Sequence, residues 1–565
     1  MKKIYIFILL LFILNCSIFD KTPLIAEEST SIRLVMFSPG DDILHDLRIL
    51  VMETGLVFMS YTPPISNYEI INYLSGIKEE NLSITAKEIY NRIKQKLSPV
   101  TFYSSGAAAV SLGMIINTEF SVRTNNNVNW VLPDLDRPDF IRIPVDLYLM
   151  NFVQLHFEES YRNFPGERFE RNYINTNIPY RFDYLDGSGR PFRAFAALGN
   201  NWWNIQIGRD RLSLGSAHTG NLLLSDTPDY QDFARFSVFG TWIKYSMILS
   251  QIPIFFDQSF VDISIVNFDE YPGLQTNSLN RYSYIHRLDL LLGNKFSIGF
   301  TEQMITGDSP IQLRYLNPMM FMHNYFSGYD YQNWGNDSLG LMDNMLFSIN
   351  FQWIPVSNLS FYGQWIIDAL NLFVADSQEP NGLGYLAGIE YYHTFKNFSA
   401  LFFTEFVYTD PYLYVDNSPF GASIWFRRMV ANPVSYFRYK WIGHPNGRDA
   451  ITFVFGSHLS FNEKLSVEAD IRYIVQGEHD LVWDWSLGEQ YKAEKTPTGR
   501  PQHAISIFNK FKYKLTKNIL LHASLANSIV INANHSDITL YGMEFSFGAK
   551  FSGFLQPFWL FKPKM

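Results

Sequence analysis

Few residues in this 565-residue chain could do chemistry. His218, Thr219 and Asn221 fall together in Gly-Ser-Ala-His-Thr-Gly-Asn, and a histidine beside a hydroxyl suggests acyl hydrolysis. That chemistry requires the base to lie within hydrogen-bond reach of the nucleophile. On a strand, successive side chains face opposite ways, which would separate His218 from Thr219. A loop would lift that objection and would also weaken the preorganisation that catalysis needs. Asp480, Asp484 and Glu489 crowd together without the glycine and oxygen-ligand spacing of a calcium loop, and read as a solvated acidic stretch. The 12 histidines include no His-Glu-x-x-His pattern, and a single cysteine excludes a thiolate cluster. The glycine-rich run from Gly382 to Gly388 opens a strand pattern instead of a helix, so it cannot cradle phosphate at a helix N-terminus. These residues point away from an enzyme and call for no metal or cofactor.

The elements that would position them are strands. In residues 465–473, Leu465, Val467, Ala469, Ile471 and Tyr473 alternate with Ser466, Glu468, Asp470 and Arg472. The same period of two runs through 359–368, 519–529 and 541–551. The chain is 47% hydrophobic and 17% aromatic but only 18% charged. Depleted charge with abundant rings fits strands facing lipid, with aromatic residues at the membrane interfaces. No internal run reaches the roughly 18 apolar residues of a spanning helix. A membrane-crossing chain of this kind must therefore close its sheet, because lipid offers an open edge no partner.

The expected fold is an all-β transmembrane barrel of roughly 18 antiparallel strands preceded by a small helical N-terminal segment. Short connectors such as 199–201, 293–295, 355–358, 461–464 and 514–517 alternate with long ones at 213–233, 254–283, 306–339 and 477–502. That asymmetry puts turns in the periplasm and loops outside. Apolar faces would meet outer-membrane lipid. Glu468, Asp470 and Arg472, the similarly spaced Arg287 and Asp289, and Lys510 and Lys512 would point into a wet lumen. Two readings of these charges stay open: a paired network that narrows the bore, or solvated residues with no further role.

Residues 1–16 read as an export signal, with Lys2 and Lys3 before an apolar core and Cys16 as a candidate for lipidation. Cleavage further on, near Leu24 to Glu28, is the alternative. Residues 17–104 form a periplasmic segment with short helices, and residues 105–565 form the barrel. Ser66–Glu69 and Thr85–Glu88 are capping-box patterns, and Ile89, Ile93 and Leu97 make one apolar stripe. A net charge of −9 without a basic patch excludes nucleic acid as a partner.

At 205–226 the chain resembles the Wzi-type capsule-assembly barrels of bacterial outer membranes. The matching positions are Gly208, Arg209, Gly215, Gly220, Asn221, Leu222, Leu224, Ser225 and Asp226. His286 to Leu290, Tyr315 to Pro318 with Asn317, Asp343-Asn344, and Phe361 to Asp368 follow in family order. Leu214-Gly215-Ser216-Ala217 departs from the Trp-Gly-Pro-Gly-like turn of the family, which puts any ligand role of that loop in doubt. The resemblance implies a surface barrel that holds or organises capsular or extracellular polysaccharide. Sugars stack C–H faces on rings and need donors and acceptors for their hydroxyls. Tyr329, Tyr331, Trp334, Asp337, Trp483, Asp484 and Trp485 in the long loops supply both, or serve as membrane-belt or loop-packing residues. Arg209 and Asp226 are expected to pair structurally within the barrel wall. The alternatives are a passive porin and, resting on His218 alone, a barrel-embedded hydrolase.

Overall fold

In a computed structural model, the described residues are 32–105, 107–128, 137–163, 173–179, 185–186, 192–228, 230–254, 279–307, 310–319, 344–368, 382–415, 421–431, 434–462, 464–479 and 494–554. An antiparallel sheet of 18 long strands closes on itself. The strands are β1 (Ala108–Arg123), β2 (Ile141–Leu149), β3 (Val153–Asn163), β4 (Arg193–Gly199), β5 (Trp203–Asp210) and β6 (Gln231–Phe239). They continue with β7 (Ile243–Ile254), β8 (Leu279–Leu292), β9 (Phe296–Gly307), β10 (Asn344–Val356), β11 (Leu359–Asp368) and β12 (Gly382–Thr394). The last six are β13 (Ser399–Thr409), β14 (Ala450–Phe461), β15 (Leu465–Gln476), β16 (Gln502–Lys514), β17 (Ile519–Ile531) and β18 (Leu540–Phe554). Closure comes from β18 pairing with β1, Phe547 opposite Phe120. No edge is left for lipid to strip of hydrogen bonds.

Alternation sets which side chains face in. In β5, Asn204 and Gln206 are 0% exposed while Ile207 is 57% exposed. Phe351, Trp353, Phe453, Phe455, Ile471, Phe511, Phe545 and Phe547 are likewise exposed on the outer face. Such a band costs free energy in water and is stable only against hydrocarbon.

Three helices precede the barrel: α1 (Asp42–Thr54), α2 (Asn67–Ser75) and α3 (Ile84–Lys96). The capping box opening α2 is formed, with Ser66 and Glu69 satisfying each other's backbone N–H groups. For α3 the expected box at Thr85–Glu88 is corrected: Ser83 is the N-cap, its hydroxyl accepting from the Ala86 N–H. α1 was not expected from the sequence. Its Ile43, Leu47, Leu50 and Val51 pack with Ile89 and Ile93 of α3, and this core continues into Ile354, Tyr392 and Leu401 of the inner barrel wall. Backbone bonds join the segment to the short-turn rim: Leu34 N–H to Asn151, Val57 N–H to Asn294, and Asn358 N–H to the Met52 carbonyl.

A fourth insert comes from the connector between β13 and β14. It carries a two-stranded hairpin, Ile424–Ala431 with Val434–Trp441. Ile424, Trp425 and Trp441 at its base are buried with Leu212, Leu214 and Leu222 to Leu224 of the connector after β5 and with wall residues such as Tyr362, Ile366 and Leu386.

Candidate functional site

The connector 211–230 leaves β5 at the long-loop end and folds inward instead of outward. The Ser213 N–H donates to the Pro63 carbonyl at 3.0 Å and the Gly215 N–H to Tyr61 at 2.8 Å. A segment entering from one end of the bore therefore meets the N-terminal segment entering from the other.

Local chemistry dictates the shape of this inner loop. Gly215 sits at φ 138°, and a Cβ there would collide with the Gln364 amide and the Asn221 side chain, so only glycine fits. Asn221 ties the loop to itself, its amide donating to Ser213 Oγ at 2.8 Å while its oxygen accepts from the Ala217 N–H at 3.2 Å. Gln364 on β11 donates to that same Asn221 oxygen and accepts from the Leu222 N–H at 2.7 Å. Ser225 Oγ donates to the Gly443 carbonyl at 2.6 Å, and the Tyr414 hydroxyl donates to the Leu222 carbonyl. The motif at 208–226 thus encodes a docked loop.

Two buried carboxylates on the wall complete the anchorage. Glu405 on β13 accepts from the His218 N–H at 2.6 Å, the Thr219 N–H at 3.0 Å, the Thr219 hydroxyl, and the Tyr362 hydroxyl at 2.6 Å. Glu390 on β12, 0% exposed, accepts from Arg48 Nε at 2.5 Å. His218 Nε2 lies 2.8 Å from the same oxygen, and since a carboxylate only accepts, that nitrogen carries the hydrogen. Arg48 Nη2 also donates to the Ser216 carbonyl at 2.5 Å. One guanidinium on α1 therefore joins the helical segment, the inner loop and the wall. The His218 ring stacks on Phe403 with centroids 3.8 Å apart.

Burial, then the nearby Arg48 charge, pushes the His218 pKa below its ordinary value despite Glu390 and Glu405. Burial works against the Arg48 cation too, but Glu390 more than compensates and holds its pKa above the usual range. Chemically, the arrangement is a clamp. His218 is committed to Glu390 and the Thr219 hydroxyl to Glu405, so the two do not make a base–nucleophile pair. His444 Nε2 lies 3.4 Å from Thr219 Oγ1, and burial lowers its pKa to about 4.

The structure distributes the other candidate residues widely. Arg287 and Asp289 on β8 form a buried bidentate pair at 3.0 and 2.5 Å, and Ser60 Oγ donates to Asp289 at 2.9 Å. Asp470 and Arg472 pair within β15 at 2.9 and 3.1 Å, and Glu468 pairs with Lys512 on β16. Asp368 accepts from the Tyr414 N–H at 2.7 Å. Gly208 lies against Phe195 where a Cβ would clash. Arg209 is corrected: it shares parity with outward Ile207, so it lies on the outer face, paired with Asp232 at 2.7 and 2.6 Å. Asp226 is exposed and is not its partner. Asn317 and Pro318 form a turn in which the Asn317 N–H donates to the Arg314 carbonyl at 3.2 Å and its side-chain oxygen accepts from the Met319 N–H at 3.1 Å. The anchor of that stretch is Tyr315, 0% exposed, whose carbonyl meets His286 Nε2 at 2.7 Å. Cys16, Tyr329, Tyr331, Trp334, Asp337, Trp483, Asp484 and Trp485 lie outside the described residues.

Sequence reasoning missed Arg48, Gln364, Glu390, Glu405 and Tyr414. The two glutamates carried a usable signal: each is a lone carboxylate at an inward position of an otherwise aromatic and aliphatic strand.

The family model described as capsule assembly protein Wzi matches residues 151–537. Among solved structures, the Escherichia coli outer-membrane protein Wzi, described as a carbohydrate-binding β-barrel involved in group 1 capsule assembly, has 14% identity and a TM-score of 0.55. That match covers 92% of this chain and 99% of that one. Pseudomonas aeruginosa OccK11 follows at 9% identity and a TM-score of 0.40, covering 81% of this chain and 100% of that one, a likeness too slight to bear on function. No sequence among curated proteins matches the chain.

Proposed function

Because the chain belongs to the Wzi capsule assembly family, we propose that it binds and organises capsular or other extracellular polysaccharide at the cell surface, without turnover. The observation that carries this reading is the inner loop. A general diffusion porin needs an open bore, whereas here residues 211–230, α1 and the base of the 424–441 hairpin fill one side of it. A wall that spends its Glu, Gln and Tyr side chains on holding a loop inward is built for a fixed outer surface. The long-loop end, with Tyr329, Tyr331, Trp334, Asp337, Trp483, Asp484 and Trp485, faces the exterior in this reading, and the helical segment faces the periplasm. Rings and carboxylates there suit sugar faces and hydroxyls. The clamp on His218 and Thr219 supports a non-catalytic role.

The test is direct binding. Purified barrel in detergent, immobilised and exposed to polysaccharide from the parent cells, is expected to retain it over a neutral dextran. Trp334→Ala with Trp483→Ala is expected to weaken that retention at least threefold. Equal retention of both polymers, or no effect of the double variant, would count against the reading.

A further inference from the structure

The wall from β15 to β18, and on to β1, carries different chemistry at its inward positions. Register sets Lys512 across from His522, His522 across from Gly548, and Lys550 across from both Leu520 and Asn117. Lys510 lies two residues from Lys512 on the same face, across from Ser524 on β17 and from Glu468 on β15, whose carboxylate is taken by Lys512. Lys510, Lys512 and Lys550 thus surround His522 in one inward patch, as direct or diagonal neighbours on three adjoining strands, and all three lysines can reach over its ring. Gly548 keeps it open: a Cβ there would press on the His522 ring at 2.7 Å, so the imidazole lies along the wall between the lysines.

Two features separate this patch from the paired charges elsewhere. All four side chains are half-exposed, Lys512 at 32%, so water reaches them. Lys512 is engaged by Glu468, and Arg142 on β2 lies 3.4 Å from Glu158, but among the described residues neither Lys510 nor Lys550 has an ion pair. Glu119 of the adjoining β1 is bound by Arg137. From α1, the exposed Asp42 is near enough to act on the Lys550 charge, and the exposed His45 stands beside His458 on β14 with ring centroids 5.5 Å apart. Cations held apart on a rigid wall repel one another, and an anion placed between them relieves that repulsion.

We propose that Lys510, Lys550 and His522 form a lumenal site for a small oxyanion, a phosphate or carboxylate group that is free in solution or carried on a sugar. Lysine ammonium groups bind such ions as point charges and need no forked geometry. The site rests on strand register alone, so it and the outer-surface glycan reading can fail independently.

Calorimetric titration of the purified full-length barrel with inorganic phosphate, galacturonate and galactose tests it. At least one of the two anions is expected to bind and galactose is not. Phosphate binding alone identifies a phosphate site, and galacturonate binding identifies acidic sugar. K510Q/K550Q is expected to lower affinity at least tenfold, with barrel folding checked by heat-modifiable migration. E468Q, which frees Lys512, is expected to raise affinity a few-fold, an effect that a structural role for Glu468 would not produce. No binding of either anion, equal affinity in a folded K510Q/K550Q barrel, or unchanged or weaker affinity in E468Q would overturn the proposal.

Discussion

The two sides of the lumen obey one sequence rule and reach opposite ends. Along β5 to β13 the inward residues Asn204, Gln206, Ser360, Glu390 and Thr409 are all 0% exposed; Ser66 and Glu69 at the start of α2 lie on Asn204, and Arg48 of α1 with His218 of the inner loop lie on Glu390. Along β15 to β18 the inward residues toward the short turns are polar and half-exposed, with Arg472 at 31% and Glu468 and Lys512 similar, whereas Ser506, Ser528, Glu544 and Ser546 on the same strands are buried. The filled side uses amides, hydroxyls and carboxylates that each serve several donors, and its buried cations Arg235, Lys244 and Arg287 are matched by Asn204, Glu69 and Asp289 respectively, since an unmatched polar group there costs about 1–3 kcal/mol. On the hydrated side Lys, Arg, Asp and Glu are cheap, since water completes whatever the pairs leave undone. The stretch 465–473 lies on the wet side while the similarly spaced Arg287 and Asp289 are buried, so what distinguishes the sides is what packs on the wall.

Substitutions should break this contrast in proportion to burial. The largest effect is expected at Arg48→Ala, which leaves Glu390 buried without its cation at a cost of about 3 kcal/mol. Urea unfolding should show a lower midpoint, and protease should cut the loop near Ser216. Next is Gly215→Ala, where the positive φ and the clash with Gln364 and Asn221 should cost about 2 kcal/mol. Its undocked loop should raise the conductance of the barrel in planar bilayers above that of the unsubstituted protein.

Asp46→Asn should cost about 1–2 kcal/mol, because the buried carboxylate serves Arg92 at 2.6 Å and Lys96 at 2.7 Å but those partners are about a third exposed. Burial raises the Asp46 pKa, yet Arg92 and Lys96 bring it below its ordinary value. Its contribution is present above the unfolded pKa and is lost as pH falls through the lower folded value. His218 behaves differently in origin but alike in direction. Its folded pKa is below its ordinary value, so protonation favours the undocked loop. Docking should hold above pH about 6.5 and weaken as pH falls from there toward the folded value, a trend that His218→Gln should flatten. The smallest effect belongs to the wet side: Asp470→Asn should shift stability by less than about 1 kcal/mol, since Arg472 is hydrated.

Much of this contrast was legible before the structure, and the rest was not for physical reasons. Alternation gives strand faces directly, so the parity of Glu468, Arg287 and Asp289 followed from their neighbours. Arg209 misled because only Ile205 and Ile207 fix its side, and the family motif drew attention to Asp226 instead of Asp232 across the ladder. α1 escaped notice because its N3 position is Leu44, so no capping box marks the start although Asp41 stands at the N-cap and Asp42 in the first turn. The clamp was illegible because its members are distant: His218 and Glu390 lie 172 residues apart, and Arg48 and Glu390 lie 342 apart. No local period reports such a pairing. Only closure of the barrel brings them together.

As proposed, a barrel filled on one side presents its outer loops to surface polysaccharide. Quantifying cell-attached and released polysaccharide in a strain lacking this protein tests it most directly. The account predicts loss of the attached fraction, recovery of that material in the medium, and restoration by the intact gene. Unchanged attached polysaccharide in the deletion strain would contradict it.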